Sequence, residues 1–437
     1  MNAILTDDFK PTCYWWEEAS PWKSEADLPQ KTQVLIIGSG YAGLSAALEL
    51  SALGVETVIV DASEVGWGAS SRNGGGVGGA LSVGKSFTGK QTLPDEDIRI
   101  LRRDATQAFP LVRALIEREN IDCAFTMNGR FVGAYTQNHF RLMEKRAEEL
   151  NRSSGTVSYR VAKDNQKEHI ASDYYYGGMV TEGSATLQPA KYVRGLLNAC
   201  LRQAVQVITG NPVVGLKPEN GGWRVSTRRG DCLAKDVIVA TNGYTSAITP
   251  EFQRRIIPVS SHMIATEELP AELIRSIFPS GRMISDSKRI LYYYRPSPDG
   301  RRIVFGGRAR FTNVGEEKIA ALLHKALLER LPQLDGVRVS HAWTGSLGFT
   351  FDATAHMGAL DGLHYCMGCN GSGIAMMTYL GYQTARKVAG VNDYACAFDR
   401  PSFPGHPLYG GNTWFLPFVG GWYRMRDNID RAFGGRR

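Results

Sequence analysis

A glycine turn between two apolar runs fixes what the start of this chain can fold into. Val34-Leu35-Ile36-Ile37 is short and wholly apolar, and Gly38-Ser39-Gly40-Tyr41-Ala42-Gly43 follows it at once. Leu44 to Leu53 is rich in alanine and leucine, and Gly54 closes it where a left-handed residue commonly ends a helix. Thr57 to Val60 is a second apolar run, and Asp61 stands at its end, 18 residues after Gly43. Strand, turn, helix and strand within about 30 residues predict a βαβ unit. Each glycine has its own task there. Gly38 permits the turn, Gly40 lets backbone approach a pyrophosphate, and Gly43 lets helix and sheet pack closely. The helix N-terminus offers N–H groups and a positive dipole end to phosphate. Asp61 offers acceptors to ribose hydroxyls. The segment therefore predicts a bound ADP moiety. A two-nucleotide NAD(P) enzyme would need a second fingerprint mid-chain, and there is none, so a flavin dinucleotide leads.

The glycine excess has the same address. Of 48 glycines in 437 residues, twelve lie between Gly38 and Gly84 and four between Gly368 and Gly381, with no triplet period. A hydrophobic share of 43% excludes disorder as the main state. The net charge of +7 is spread thinly, densest at Arg254-Arg255, Arg301-Arg302 and Arg436-Arg437. No basic block of nucleic-acid type exists, which leaves a solvated surface or a positive pocket for an acidic ligand. No apolar run approaches a membrane span, and Met1 to Lys31 lacks the apolar core of a signal peptide. Seven scattered cysteines fit a reducing compartment, so the expected location is cytoplasmic.

Residues 1–31 carry an aromatic cluster, Tyr14-Trp15-Trp16 and Trp22, and are expected to form an arm packed onto something else. Amphipathic spacing predicts helices over about 95–119 and 136–153, and Pro189 to Ala204 predicts another with proline in its first turn. Strands are expected in Val205–Val214, Trp223–Thr227, Asp236–Ala240, Leu291–Arg295, Arg302–Gly306 and Leu363–Met367. Helices are expected near 315–330 and over Ile374–Ala389, the latter after a glycine loop. The fold class is α/β (α+β, two domains), a Rossmann-like FAD-binding domain with a discontinuous, sheet-rich substrate domain. The expected division gives 32–90, 185–255 and 340–395 to the first, 91–184 and 256–339 to the second, and 396–437 to a C-terminal tail.

Beyond Asp61-Ala62 stands Gly66-Trp67-Gly68-Ala69-Ser70-Ser71-Arg72-Asn73-Gly74-Gly75-Gly76. It resembles the second flavin-contacting loop of the FAD-dependent D-amino acid oxidase superfamily. Further segments match that family in order. Leu187-Gln188-Pro189-Ala190 resembles its stretch before a helix, and Pro212-Val213-Val214 the strand whose backbone contacts adenine. Ala240-Thr241-Asn242-Gly243-Tyr244 is similar to its "ATNG" turn, and Trp343-Thr344-Gly345 with Asp352 to a late segment. Gly368-Cys369-Asn370-Gly371-Ser372-Gly373 resembles its C-terminal flavin loop, leading into Ile374. The arm, the Arg72–Gly75 loop and the tail Pro407-Leu408-Tyr409-Gly410 with Trp414 look most like the gamma-glutamylputrescine oxidoreductase branch. Departures are Asp61 where glutamate is commoner and Ser372 where histidine is common. Asn73 stands where some relatives attach flavin through histidine, and no cysteine matches the covalent site of monomeric sarcosine oxidase. Non-covalent FAD is therefore expected.

The resemblance implies oxidation of a C–N bond by hydride transfer to the flavin, giving an imine that water hydrolyses to an aldehyde or ketone. Gly371, Ser372, Gly373 and the helix start at Ile374 are expected to hold negative charge on the reduced ring. Arg308 is a candidate clamp for a carboxylate or phosphonate, and His262 and Tyr293 are candidates for the pocket wall. Substrates left open are a gamma-glutamylated diamine, an N-methyl or other amino acid, and an aminophosphonate. The electron acceptor is O2 or another acceptor. A flavin hydroxylase and an RNA-modifying module are the competing classes. Cys366-x-x-Cys369 reads as small buried thiols, since a second ligand pair for zinc is missing. No metal, nucleic acid or membrane span is expected.

Overall fold

The apolar runs around the fingerprint become the centre of a mixed sheet. In a computed structural model, which describes residues 4–78, 91, 93–308, 314–400 and 402–433, Lys31–Ile37 lies between Thr57–Val60 and Gly230–Val239, parallel to both. Gln206–Ile208 closes one side and the hairpin Val213–Glu219/Gly222–Thr227 the other. Leu363–Met367 adds in parallel beside Val239 and pairs with His356–Leu360. Continuous apolar runs of this kind demand cover on both faces. One face carries the helices Tyr41–Ala52, Pro189–Arg202 and Gly373–Val388, packed through Leu44, Leu48, Val193, Leu197, Met377 and Leu380. Gly381 permits this packing, because a Cβ there would sit 2.1 Å from the Ala42 carbonyl oxygen. The other face buries Leu35, Val58, Val237 and Phe252.

A second sheet has nine strands. Its long strands Ile257–Thr266 and Val339–Phe349 run antiparallel, followed outwards by Ile303–Gly307, Tyr292–Pro296, Met283–Asp286, Arg130–Gly133, Gly178–Thr181 and Ser158–Val161. The helix Glu316–Arg330 packs on it through Ile319, Leu323 and Leu327. The arm joins this sheet through Leu5–Lys10, parallel to Val339–Phe349.

Three details are finer than the sequence expectations. The division at 340 falls inside Val339–Phe349, which pairs with Ile257–Thr266 and so belongs to the nine-stranded sheet. Periodicity identifies a strand, and only tertiary pairing decides which sheet takes it. The helix expected over 95–119 is two, Asp95–Ala105 and Ala108–Arg118. The tail contains an 18-residue helix, Leu416–Phe433. Gly79 and Gly84 of the glycine loop, with Arg436-Arg437, lie outside the described residues. Among the described residues no helix is long and apolar enough to cross a membrane.

Enclosure weighs against charge on several histidines. Burial pushes His139, His169, His341 and His364 below their ordinary value, although carboxylates near each work in the opposite direction. The unfolded chain therefore takes up protons first as pH falls below about 6.5, so stability present above that pH is lost through the folded values. The thermal midpoint of the holoenzyme should be lower at pH 5.5 than at pH 7.5. An equal midpoint at the two pH values would contradict this linkage.

Candidate active site

Steric necessity shapes the fingerprint turn. Gly38 has φ +107°, and a Cβ there would sit 3.0 Å from the Ala240 oxygen. At Gly43 the Cβ would be 1.9 Å from the Gly38 oxygen, and at Gly40 it would be 2.9 Å from Ser70 Oγ. The first-turn N–H groups of the Tyr41–Ala52 helix have no intrahelical partner; Tyr41 N donates to Ser70 Oγ at 3.1 Å. Ala42 and Gly43 follow in that turn. Asp61 is fixed at the strand end, where Oδ2 accepts from Ser39 N (2.7 Å) and Ser39 Oγ (2.6 Å), and Oδ1 from Ser63 N (2.9 Å). A carboxylate has about four acceptor positions, so one remains. Ala62 is exposed beside it. Asn211 N donates to the Asp61 carbonyl, which brings the start of the Val213–Glu219 strand, with half-buried Val213 and exposed Val214, to the same sheet end.

The second loop is pinned from several directions. Gly68 caps the short helix Ala69–Arg72, and a Cβ on Gly345 would lie 3.7 Å from Ala69. Asn73 Nδ2 donates to Tyr41 Oη (3.0 Å) and the Ser70 carbonyl (2.9 Å), while its Oδ1 accepts from Gly75 N (2.9 Å). Trp15 Nε1 donates to the Asn73 carbonyl, Trp343 Nε1 to the Arg72 carbonyl, and Trp16 Nε1 to Ser71 Oγ. The Arg72 guanidinium lies 4.6 Å from both the Trp16 and the Trp67 rings. Its Nη1 donates to the Thr344 carbonyl, and its buried Nε has no partner among the described residues. Arg295 is wholly enclosed; its Nε donates to the Gly74 carbonyl (2.9 Å) and its Nη2 to Leu187 (2.6 Å), and burial pushes it down to about 10.

Neither Arg295 nor the tryptophans are recognisable as site residues in the sequence. The aromatic cluster was visible as an arm, but its target lies some 60 residues away in sequence. Arg295 carries no local signal.

The third loop is held by asparagines. Asn242, at φ +44°, accepts from Gly368 N through Oδ1 (3.0 Å). It belongs to the turn Ala240-Thr241-Asn242-Gly243, whose buried Gly243 packs on the Ser346–Gly348 backbone. Asn370 N donates to the Gly348 carbonyl (3.0 Å), and its Oδ1 accepts from Thr350 N (3.1 Å). Gly371 has φ +93°, and among the described residues a Cβ there would approach Arg308 Nη2, at 3.8 Å. Ser372 caps the Gly373–Val388 helix, and Ile374 is buried in its first turn. Cys366 and Cys369 are buried, unlinked thiols, and burial raises Cys366 to about 12.

Around Gly371 the candidate pocket residues assemble in part. Arg308 is half-buried, with its guanidinium 4.6 Å over the Phe349 ring. Burial lowers its pKa, while Tyr293 and Tyr423 work against that. No carboxylate among the described residues pairs with it. The Tyr293 ring stands between the second loop and the Ile303–Gly307 strand, since Cβ atoms on Gly74 and Gly306 would lie 2.6 and 2.7 Å from it. Its hydroxyl meets Ser261 Oγ at 3.1 Å. His262 sits opposite Gly307 in the sheet, fully buried, with Nδ1 2.9 Å from Thr344 Oγ1. Tyr423, on the helix the sequence reading missed, reaches the neighbourhood of Arg308.

Residues 33–387 match the protein family described as FAD dependent oxidoreductase. The chain belongs to that family. It is 29% identical over 388 residues to the Probable oxidoreductase OrdL of Haemophilus influenzae, covering 87% of this chain and 88% of that protein. It is 29% identical over 406 residues to the Gamma-glutamylputrescine oxidoreductase of Escherichia coli, covering 91% and 93%. The crystal structure of glycine oxidase from Geobacillus kaustophilus shares the fold, with a TM-score of 0.71 and 19% identity, covering 87% of this chain and all of that one. The chain is an FAD-dependent amine or amino-acid oxidoreductase.

The residues present fit FAD. The fingerprint turn is so tight that a Cβ on any of its three glycines would crowd a neighbour, Asp61 retains an acceptor, and the Arg72 Nε is left over inside the second loop.

Proposed function

We propose that this oxidoreductase acts on a small amine bearing an acidic group, with a gamma-glutamylated diamine as first choice. The observation that carries this is Arg308, a half-buried guanidinium beside Gly371 that no described carboxylate neutralises. A half-buried charge without a counter-charge carries a desolvation cost, and a substrate carboxylate supplies the missing partner through paired N–H donors. The name of the Escherichia coli relative agrees with that class. A phosphonate has the same complementarity, so an aminophosphonate or an N-methyl amino acid is the second reading.

Bound FAD supplies the hydride acceptor. The chain's residues would divide the remaining work. The fingerprint Gly38-x-Gly40-x-x-Gly43, with Tyr41, Ala42 and Asp61, holds the ADP half, and Val213, Val214 and Ala240–Gly243 border it. Gly68–Gly75 and Asn370–Ile374 would hold the flavin end, and the first-turn N–H groups of the Gly373–Val388 helix would favour negative charge on it. Arg308 orients the substrate by its acidic end, and Tyr293 walls the pocket. His262 acts through Thr344, whose carbonyl takes Arg72. The product imine leaves for hydrolysis to an aldehyde or ketone. Electrons pass on to O2 or another acceptor. With Asn73 in the loop position where some relatives carry histidine, FAD is held without a covalent link. The seven free thiols agree with a cytoplasmic setting.

Anaerobic mixing with a panel of amines tests the reaction class. Bleaching of the oxidised flavin absorbance by an acid-bearing amine, without NAD(P)H, is the expected result. Bleaching by NAD(P)H alone, with none by any amine, would point to a hydroxylase instead.

A further inference from the structure

The Leu416–Phe433 helix presents two faces of unlike chemistry. Leu416, Gly420, Tyr423 and Asp427 turn inwards at helical spacing. Asp427 accepts from Arg289 Nη1 (3.0 Å) and from the N–H groups of Arg289 and Ile290 (3.3 Å each), and Asp430 meets Arg289 at 2.5 Å. The inner face is thus anchored to the loop before Tyr292–Pro296. The outer face of such a helix is normally polar. Here Trp414, just before the helix, then Phe418, Trp422, Met425 and Ile429 form one outward stripe, and they are 64%, 73%, 52%, 45% and 43% exposed.

The rim of this stripe is cationic. Arg424 and Arg426 are exposed on its two sides, and the Arg426 guanidinium lies 5.7 Å from the Trp422 ring centroid. The helix's own acids, Asp427 and Asp430, are both engaged with Arg289 on the inner face.

We propose that this helix is an interfacial anchor that lays its apolar stripe into the headgroup region of an anionic lipid bilayer. The stripe runs along one side of a single helix, which can lie on a plane. Tryptophan favours the membrane–water boundary. Flanking arginines bury their stems and reach phosphate with their heads. The chain carries a net +7. A second copy of the chain fits less well, because self-pairing along the stripe would bring arginine rims together while the helix's own acids are engaged with Arg289. The helix lies on the surface and does not span it. This goes beyond the proposed reaction, which makes no use of the outer face.

Vesicle flotation of the holoenzyme tests it, with phosphatidylcholine vesicles compared against phosphatidylcholine–phosphatidylglycerol vesicles. Binding to the anionic vesicles should exceed binding to the neutral ones by about tenfold. It should be lost in the double variant Phe418→Ser/Trp422→Ser while flavin content and thermal midpoint stay those of the parent. Binding to neither vesicle, or equal binding to both, overturns the proposal. So does a dimer in sedimentation velocity that the double variant converts to monomer, which would assign the stripe to a second copy.

Discussion

Arg308→Met should lower kcat/KM for an acid-bearing amine about 100- to 4,000-fold and leave FAD content unchanged. The magnitude follows from the loss of one partner of an enclosed ion pair, about 3–5 kcal/mol, at about 1.4 kcal/mol per tenfold. The variant has a second signature. Without ligand, Arg308 has no described counter-charge beside Phe349 and Gly371. An apolar side chain of similar length removes a cost, so the ligand-free thermal midpoint should hold or rise. A residue that merely supports the sheet would show the reverse, a lower midpoint with parallel losses on neutral and acidic amines. Steady-state kinetics on both amine classes, with thermal unfolding of the ligand-free holoenzyme, separates the two.

Gly43→Val should abolish FAD retention. The added Cβ would stand 1.9 Å from the Gly38 oxygen and 3.0 Å from its carbonyl carbon. Both are backbone atoms, so no rotamer change relieves the clash. Overpacking alone costs about 1–3 kcal/mol, and here the relief must come from the fingerprint turn itself. Flavin bound per chain after purification should fall at least tenfold. Gly54→Ala is the control, since Gly54 also has positive φ (+75°) but open space around it. It should cost about 1–2 kcal/mol through backbone conformation and keep its flavin. Equal flavin content in the two variants would remove the steric account of the fingerprint.

The cofactor half of the site was legible in the sequence because its rules are local. A wholly apolar run, three glycines, a helix and an acid fall within about 30 residues, and the structure sets Gly38 and Gly43 against backbone, and Gly40 against Ser70 Oγ, too closely for a side chain. The substrate half follows different rules. Arg295 reaches the Gly74 carbonyl across 221 residues of chain, and no spacing foretells that. Val339–Phe349 was visible as a late segment, yet its sheet is decided by pairing with Ile257–Thr266. The Leu416–Phe433 helix escaped because Pro417, Gly420 and Gly421 read as helix breakers, and its apolar residues fall on two opposite faces. Only tertiary contact through Asp427 distinguishes inner from outer.

The most direct test of the central claim compares two amines that differ only in the distal group, a gamma-glutamylated diamine with a free carboxylate and its carboxamide. Each is mixed anaerobically with holoenzyme, and the rate of flavin bleaching is followed. The account predicts rapid bleaching by the carboxylate form and a rate about 100-fold or more lower for the carboxamide, the gap closing in Arg308→Met. Equal rates for the two amines with the parent enzyme, or bleaching by neither, would contradict it.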